Sequence, residues 1–254
     1  MRDILELENV SLIYQSELKE TEAVKDLSFS VKDGEFVSII GPSGCGKTTV
    51  LSMIAGLIPT TKGKILYKNE QIEKVSSGVS YMLQRDELFP WRTIEKNVYL
   101  PLEIKKIKDA SAYERANDLI KKYGLEDFKK AFPHELSGGM RQRAALIRTL
   151  STSPDVLLLD EPFSALDYQT RLSVCNDVYK IIKSEKKTAI LVTHDISEAI
   201  SLSDRILVLT KRPATLYKEH VLPFNKRLSP LKRREQKEFP ILFDVLWREL
   251  NDEN

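Results

Sequence analysis

Apolar and polar positions alternate over Ile4–Leu12 and again over Asp26–Val31, the two-residue period of half-buried strands. Glu35–Ile40 is instead a short apolar run that ends in a glycine-rich loop, and Lys47–Gly56 beyond it reads as a helix. Val79–Leu83 is a further short strand. From about Thr93 to Leu150 the period lengthens to that of helices, with Ser111–Tyr123 amphipathic and Gly139–Leu150 rich in Arg, Ala and Leu. Apolar runs return at Val156–Leu159, Ala189–Thr193 and Arg205–Thr210, separated by the helical stretches Gln169–Ser184 and Ile196–Leu202. Such runs are the mark of strands buried on both faces of a parallel sheet. The pattern therefore predicts an α/β core interrupted by a helical insertion. Asn225–Lys237 is polar and basic and reads as a solvated linker, in preference to a site for acidic lipid or RNA. It leads to an apolar C-terminal helix, Phe239–Leu250, expected to pack on the core or on a second copy.

Composition narrows the class. The 254 residues suffice for one large domain or two small ones, and 39 Lys and Arg against 37 Asp and Glu give no global signature of nucleic-acid binding. Two cysteines, Cys45 and Cys175, are too few for a disulfide framework and fit a reducing compartment. The opening MRDILELENV has the alternation of a strand and no signal-peptide core. The longest apolar runs fall far short of the roughly 18 residues that cross a bilayer. A cytoplasmic protein that meets a membrane only through a partner is expected.

Two strings carry the chemistry. Gly41-Pro42-Ser43-Gly44-Cys45-Gly46-Lys47-Thr48-Thr49 fits the phosphate-binding loop, with a strand before it and a helix after it. Its glycines let backbone N–H groups curl inward at phosphate oxygens, and the helix N-terminus adds partial positive charge. Lys47 supplies a full charge to the outer phosphates, and the Thr48 hydroxyl is placed to ligate Mg²⁺. DVLLLDE at 155–161 is the second half: a buried strand that emerges with Asp160 and Glu161 side by side. Asp160 is expected to hold the Mg²⁺ shell and Glu161 to polarise a water in line with the γ-phosphate. Cys45 stands inside the loop at a helix start, so its thiol pKa is expected to be lowered and its alkylation to block ATP binding.

With these motifs, LSGGMRQR at 136–143 makes the chain resemble the ATP-binding subunit of an ABC transporter over about residues 4–215. The resemblance implies an ATPase with a P-loop core on a parallel sheet, an N-terminal antiparallel β subdomain and an inserted α-helical subdomain. It implies an ATPase domain over 1–225, with core segments 1–84 and 153–225, a helical part at 85–152, and an appended segment at 226–254. Ser137, Gly138 and Gly139 resemble the signature loop, which in the family closes over the γ-phosphate held by the other subunit. Met140 stands where Gln is usual. Gln84 resembles the Q-loop glutamine, a Mg²⁺ and water contact. Ser164-Ala165-Leu166-Asp167 resembles the D-loop, His194 the switch histidine, and Tyr14 the aromatic that stacks on adenine, although Tyr14 reads equally as a strand residue before a long loop, Gln15–Thr21. ATP and Mg²⁺ are the implied ligands. The implied partners are a second ATPase subunit, in an ATP-dependent homodimer or a pair, together with transmembrane permease subunits and, indirectly, a solute-binding protein.

QRDELFPWRTIEKNVYL at 84–100 is similar to importer ATPases of the nitrate/sulfonate/taurine/bicarbonate group, as are the stretch from His194 and KRPATL at 211–216. Thiamine-pyrimidine precursors and aromatic or riboflavin-like solutes are within the same reach. Pro90 and Trp91 are expected at the permease interface, the alternative being a Trp buried in the insertion. A soluble ABC ATPase acting on ribosomes or DNA is the rival from another class. It is disfavoured by the single set of motifs and by the absence of heptads across the roughly 110 residues between Thr49 and Asp160. An exporter or cell-division cassette is the second rival, opposed by the LFPW string. Arg141 and Arg143 are expected in structural ion pairs, His134 near the signature loop without chemistry, His220 as a solvated strand-end residue, and Cys175 in a helix core.

Overall fold

Four runs without a polar alternation become strands with every residue buried, which is what strands covered on both faces require. They are β3 (Phe36–Ile40), β7 (Val156–Asp160), β8 (Thr188–Val192) and β9 (Arg205–Leu209). The computed structural model describes residues 2–16 and 19–252. With β6 (Val79–Met82) and β10 (Leu216–Val221) these strands form a six-stranded sheet of order β10-β9-β3-β8-β7-β6, parallel except for the antiparallel edge strand β10. Because β3, β8, β7 and β6 are parallel neighbours, the loops that follow them all leave at one edge, where ligands of open α/β sheets sit. The glycine-rich loop, His194, Asp160–Glu161 and Gln84 follow those four strands in that order.

A second sheet is built on β1 (Asp3–Ser16) and β2 (Lys19–Lys32), with β4 (Lys62–Tyr67) and β5 (Glu70–Gln71) at its side. Its four strands are antiparallel in the order β2-β1-β4-β5. The long loop expected over Gln15–Thr21 is instead the closing end of the β1–β2 hairpin, where Tyr14 faces Thr21 and Gln15 faces Glu20. Residues 17 and 18 of that expected loop lie outside the described residues. The glycine-rich loop runs into α1 (Lys47–Ile54).

The insertion is helical, as its period implies. It holds α2 (Ile94–Ile104), α3 (Ala110–Lys122) and α4 (Gly138–Leu150), capped by Thr93, Asp109 and Ser137, whose side chains each accept a backbone N–H of the first turn. Buried Asn97 organises the turn before α2: its carbonyl accepts the Phe89 N–H at 2.7 Å, and its amide donates toward the carbonyls of Phe89, Arg92 and Thr93. The turn thereby holds Phe89 and Trp91 stacked, ring centroids 5.0 Å apart, with Trp91 72 % exposed, so the alternative of a buried Trp is excluded. Helices α5 (Tyr168–Ser184) and α6 (Ile196–Leu202) follow β7 and β8 as expected. Cys175 is a core residue of α5.

The C-terminal segment differs from the linker expected of it. The basic stretch carries a short helix, α7 (Pro230–Arg234), and Arg233 is 1 % exposed. Its guanidinium donates to the Ser203 carbonyl at 2.5 Å and to the Tyr179 hydroxyl at 3.1 Å, with an Asp204 carboxylate oxygen 3.8 Å away. It also lies over the Tyr179 ring. A guanidinium aimed at a carbonyl outweighs the polar character of its neighbours, and the segment is fastened to the core. Then α8 (Glu238–Asp252) buries Leu246 against α6 and β9 with the help of Phe239, Leu242 and Phe243. His220 on β10 is not solvated either: its Nε2 lies 2.7 Å from the carboxylate of Glu249 on α8, a residue 8 % exposed. Arg233→Ala is expected to cost about 3 kcal/mol of stability, because it leaves buried acceptors without their charged donor. A lowered urea midpoint at unchanged slope would register it, and an unmoved midpoint would contradict the assignment.

Candidate functional site

The glycine-rich loop is folded around its own lysine. Lys47 is buried, and its ammonium donates to the carbonyls of Gly41 at 2.8 Å and Pro42 at 3.0 Å. Gly44 and Gly46 adopt φ of 72° and 125°, and a Cβ on Gly46 would press on the Ala23 carbonyl at 3.0 Å. Glycine alone suits position 46, and at position 44 it takes the left-handed turn without strain. The loop walls a cleft of about 540 Å³ lined by Ser43, Gly44, Gly46, Lys47, Thr48, Thr49, Glu161, His194 and Arg212.

Across the cleft the end of β7 supplies carboxylates. Asp160 accepts the Thr48 hydroxyl at 3.2 Å on one oxygen and the Tyr81 hydroxyl at 2.8 Å on the other. Burial pushes its pKa up, against those two hydrogen bonds and the nearby Lys47 charge, which favour the carboxylate. Tyr81 in turn is pushed up by burial and by the Asp160 charge, so it stays a phenol and a donor. Sequence reading missed Tyr81. Its placement follows from the parallel register of β6 on β7, which sets Met82 beside Leu159.

Glu161 takes φ = 44°, a conformation rare outside glycine, asparagine and aspartate. Its N–H is held by the Val192 carbonyl at 2.8 Å and its own carbonyl accepts the Ser164 hydroxyl at 3.0 Å. Two side chains meet one oxygen of its carboxylate: the Gln84 amide at 3.3 Å and His194 Nδ1 at 3.1 Å. The segment around His194 is tied to the Ser164–Asp167 segment through Arg171, which reaches the Leu166 carbonyl at 2.9 Å and Asp195 at 3.4 Å. Beside them, buried Glu198 accepts the Thr193 hydroxyl at 2.7 Å, and desolvation pushes its pKa up to about 7.

Tyr14 is exposed at the rim, its hydroxyl 3.4 Å from that of Thr49. Gly41 does not line the cleft; it packs beneath the loop, where a Cβ would meet the sulfur of Cys45 at 3.0 Å. Cys45 itself departs from expectation. It is 2 % exposed, and burial raises its thiol pKa against the lowering influence of Lys47. The electropositive loop is present, but desolvation of a thiolate beneath it is the larger effect. A thiol reagent is therefore expected to modify neither of the two free cysteines in the folded chain and both after unfolding. One equivalent reacting under native conditions would contradict this.

Ser137, Gly138 and Gly139 do not line the cleft. The Ser137 hydroxyl accepts the Met140 N–H at 3.3 Å, and a Cβ on Gly139 would come within 2.9 Å of Val174 on α5. Packing of α4 on α5 thus gives Gly139 a reason of its own. Asp167 is likewise outside the cleft, capping α5 through the Thr170 N–H at 3.1 Å. Arg141 and Arg143 make the ion pairs expected of them, with Asp86 and Asp177. His134 stacks on Phe132 before the signature segment.

The ABC transporter family model matches residues 24–164, more than half of the chain. The chain belongs to the ABC transporter family. This ABC transporter ATP-binding protein is 46 % identical over 250 residues to the uncharacterized ABC transporter ATP-binding protein YtlC of Bacillus subtilis strain 168, covering 97 % of this chain and 95 % of that one. It is 39 % identical over 220 residues to the aliphatic sulfonates import ATP-binding protein SsuB of Bacillus cereus strain ATCC 10987, covering 86 % of each. Among solved structures it superposes with a TM-score of 0.73 on the dimeric post-hydrolysis state of the ATP-binding cassette MJ0796 bound to ADP and Pi. That match has 33 % identity over 87 % of this chain and 100 % of the other. The antiparallel sheet, the parallel core and the helical insertion of this ABC transporter ATPase are those of that fold.

Proposed function

We propose that this ATPase subunit closes as a dimer around two ATP molecules to drive uptake of a small solute through a separate membrane permease. The observation that carries the reading is that Lys47, Thr48, Glu161 and His194 line one cleft, with Asp160 hydrogen-bonded to Thr48 and Gln84 to Glu161 behind them, while the signature residues touch none of these groups. A site complete except for Ser137 and Gly139 needs those groups from a second copy, and the MJ0796 cassette is dimeric. In this reading Tyr14 stacks on adenine, and the N–H groups of residues 44–49 with Lys47 hold the phosphates. Glu161 orients the attacking water, and His194 and Gln84, both in contact with its carboxylate, sense the γ-phosphate.

Thr48 and Asp160 are hard oxygen donors side by side, Thr48 lining the cleft and Asp160 hydrogen-bonded to it, the donor set Mg²⁺ takes together with phosphate oxygens and water. These two residues, with Gln84, would hold the ion, which when bound neutralises charge on the outer phosphates. Among the described residues no group of three or more His, Cys, Asp or Glu forms a metal cage.

Import of a sulfonate- or taurine-like solute is supported by the likeness to SsuB and by the LFPW string, with thiamine-pyrimidine-like solutes in the same range. The permease is assigned to the exposed Phe89–Trp91 stack and to the groove of about 230 Å³ beside Val75, Val79, Pro101 and Arg148. Asn97 fixes that stack, and an aromatic anchor on a rigid turn suits a docking surface. Arg148 donates to the carbonyls of Asp86 and Glu87, so movement at Gln84 is passed to the same groove. No helix among the described residues is long and apolar enough to cross a membrane. In this reading the subunit sits peripherally on the inner face of the cell membrane, held there by the permease. Residues 85–152 serve in this scheme as the lobe that moves, residues 1–84 and 153–225 as the ATPase core, and 226–254 as an appended segment.

Affinity purification of the Glu161→Gln protein from solubilised membranes with ATP tests the reading. Recovery of a multi-spanning permease, with a solute-binding protein alongside, is expected. Recovery of ribosomal or DNA-bound factors and no membrane chain would overturn it.

A further inference from the structure

Arg212 reaches the nucleotide cleft from a part of the chain that the phosphate motifs do not include. It sits in the turn between β9 and β10, and its guanidinium donates to the Gly44 carbonyl at 2.8 Å while lining the cleft with Lys47, Glu161 and His194. The turn is held from several sides. Ala214 is fully buried, donates to the Ala23 carbonyl at 2.9 Å and accepts the Lys25 N–H at 3.0 Å, both on β2. Thr210 closes the turn: its N–H donates to the Thr215 carbonyl at 3.1 Å and its hydroxyl accepts the Thr215 N–H at 3.0 Å. Ala214 also stands where a Cβ on Gly46 would touch it at 3.5 Å, so the turn and the phosphate loop are packed as one unit.

Arg212 on that platform is exposed, and among the described residues no ion pair to a carboxylate engages it. Lys47 is in a comparable state, its charge satisfied by two loop carbonyls. A cation parked on a neutral carbonyl at the rim of an anion site exchanges that contact for a phosphate at a gain, because both partners of the new bond are charged, whereas only the donor of the old one is. The guanidinium fork also suits two phosphate oxygens at once.

We propose that Arg212 is a second cationic contact for the nucleotide, turning from the Gly44 carbonyl onto the outer phosphates when ATP enters. The proposal rests on the reading of this cleft as the ATP site. It concerns a residue of the β9–β10 turn, outside the P-loop and the signature segment.

The test is calorimetric titration of MgATP and MgADP into full-length chains on the Glu161→Gln background, comparing Arg212→Gln, Arg212→Lys and Lys47→Ala. Glutamine can keep the bond to the Gly44 carbonyl without the charge, whereas lysine keeps the charge. Arg212→Gln is expected to weaken ATP about tenfold and ADP less, with Arg212→Lys within about threefold of the parent. ATP affinity within about twofold of the parent in Arg212→Gln, or equal losses in the Gln and Lys variants, would overturn the proposal. Those results, with binding abolished in Lys47→Ala, would leave the ATP site itself standing. Full ATP affinity in Lys47→Ala would overturn both.

Discussion

Replacing Glu161 with glutamine is expected to cut steady-state ATP turnover about a thousandfold while leaving ATP binding intact, the loss typical of removing a positioned general base. The geometry supplies the reason. Among the described residues Glu161 is the one carboxylate that lines the cleft beside Lys47, and the chain accepts φ = 44° there. A conformation of that kind costs on the order of 1–3 kcal/mol and persists only where the surroundings hold it. Here the Val192 carbonyl and the Ser164 hydroxyl do so. Glutamine has the same shape and keeps an acceptor for the Gln84 amide, so the cleft survives the change. It removes a negative charge next to the place of the γ-phosphate, so ATP is expected to bind at least as tightly. The ATP-bound pair of subunits should then accumulate instead of opening. Phosphate release and light scattering at saturating ATP measure the two halves of this expectation. A variant that retains more than about a tenth of the turnover, or stays monomeric with ATP, would remove Glu161 from the role.

The core strands are the part of this molecule most directly readable from its sequence, and the reason is burial. Val156–Asp160, Thr188–Val192 and Arg205–Leu209 have no solvent face, so their side chains show no alternation and stand out as apolar runs. Edge strand β10 has the opposite character: Leu216–Val221 is mostly exposed, carries Lys218, Glu219 and His220, and gives no periodic signal. Helix α7 is hidden for a related reason. Nothing in Pro230–Arg234 marks Arg233 for burial, since its partners Ser203 and Tyr179 are distant in sequence.

The cleft divides in the same way. Lys47, Thr48, Asp160 and Glu161 lie in short strings whose spacing is fixed by a strand–loop–helix turn. Tyr81 and Arg212 enter only through the register of β6 on β7 and the packing of the β9–β10 turn on β2. Cys45 shows the converse limit. Its charged neighbours were legible, but the degree of burial that decides its pKa was not.

Two variants that are each inactive alone, Lys47→Ala and Ser137→Arg, are expected to recover ATP hydrolysis when mixed. Lys47→Ala removes the charge at the centre of the phosphate loop, and Ser137→Arg fills the N-terminal face of α4 with a bulky cation. Neither change touches the other's site, because the signature residues do not line their own chain's cleft. In a mixed dimer one composite site joins an intact phosphate loop to an intact signature segment, while the second joins the two damaged halves. With equal amounts and random pairing, half the dimers carry one good site, so about a quarter of the wild-type rate is expected if the sites act independently. Ser137→Arg also loses the cap on the Met140 N–H, a cost of about 1 kcal/mol, and its far-UV circular dichroism must match the parent for the comparison to hold. A mixture no more active than its components would mean that each chain completes its own site. The link from Gln84 through Asp86 to Arg141, and from Arg141 to the Leu136 carbonyl, would then act within one subunit. Recovery near a quarter would instead place that link between the Gln84 of one subunit's own site and the signature segment it offers to its partner.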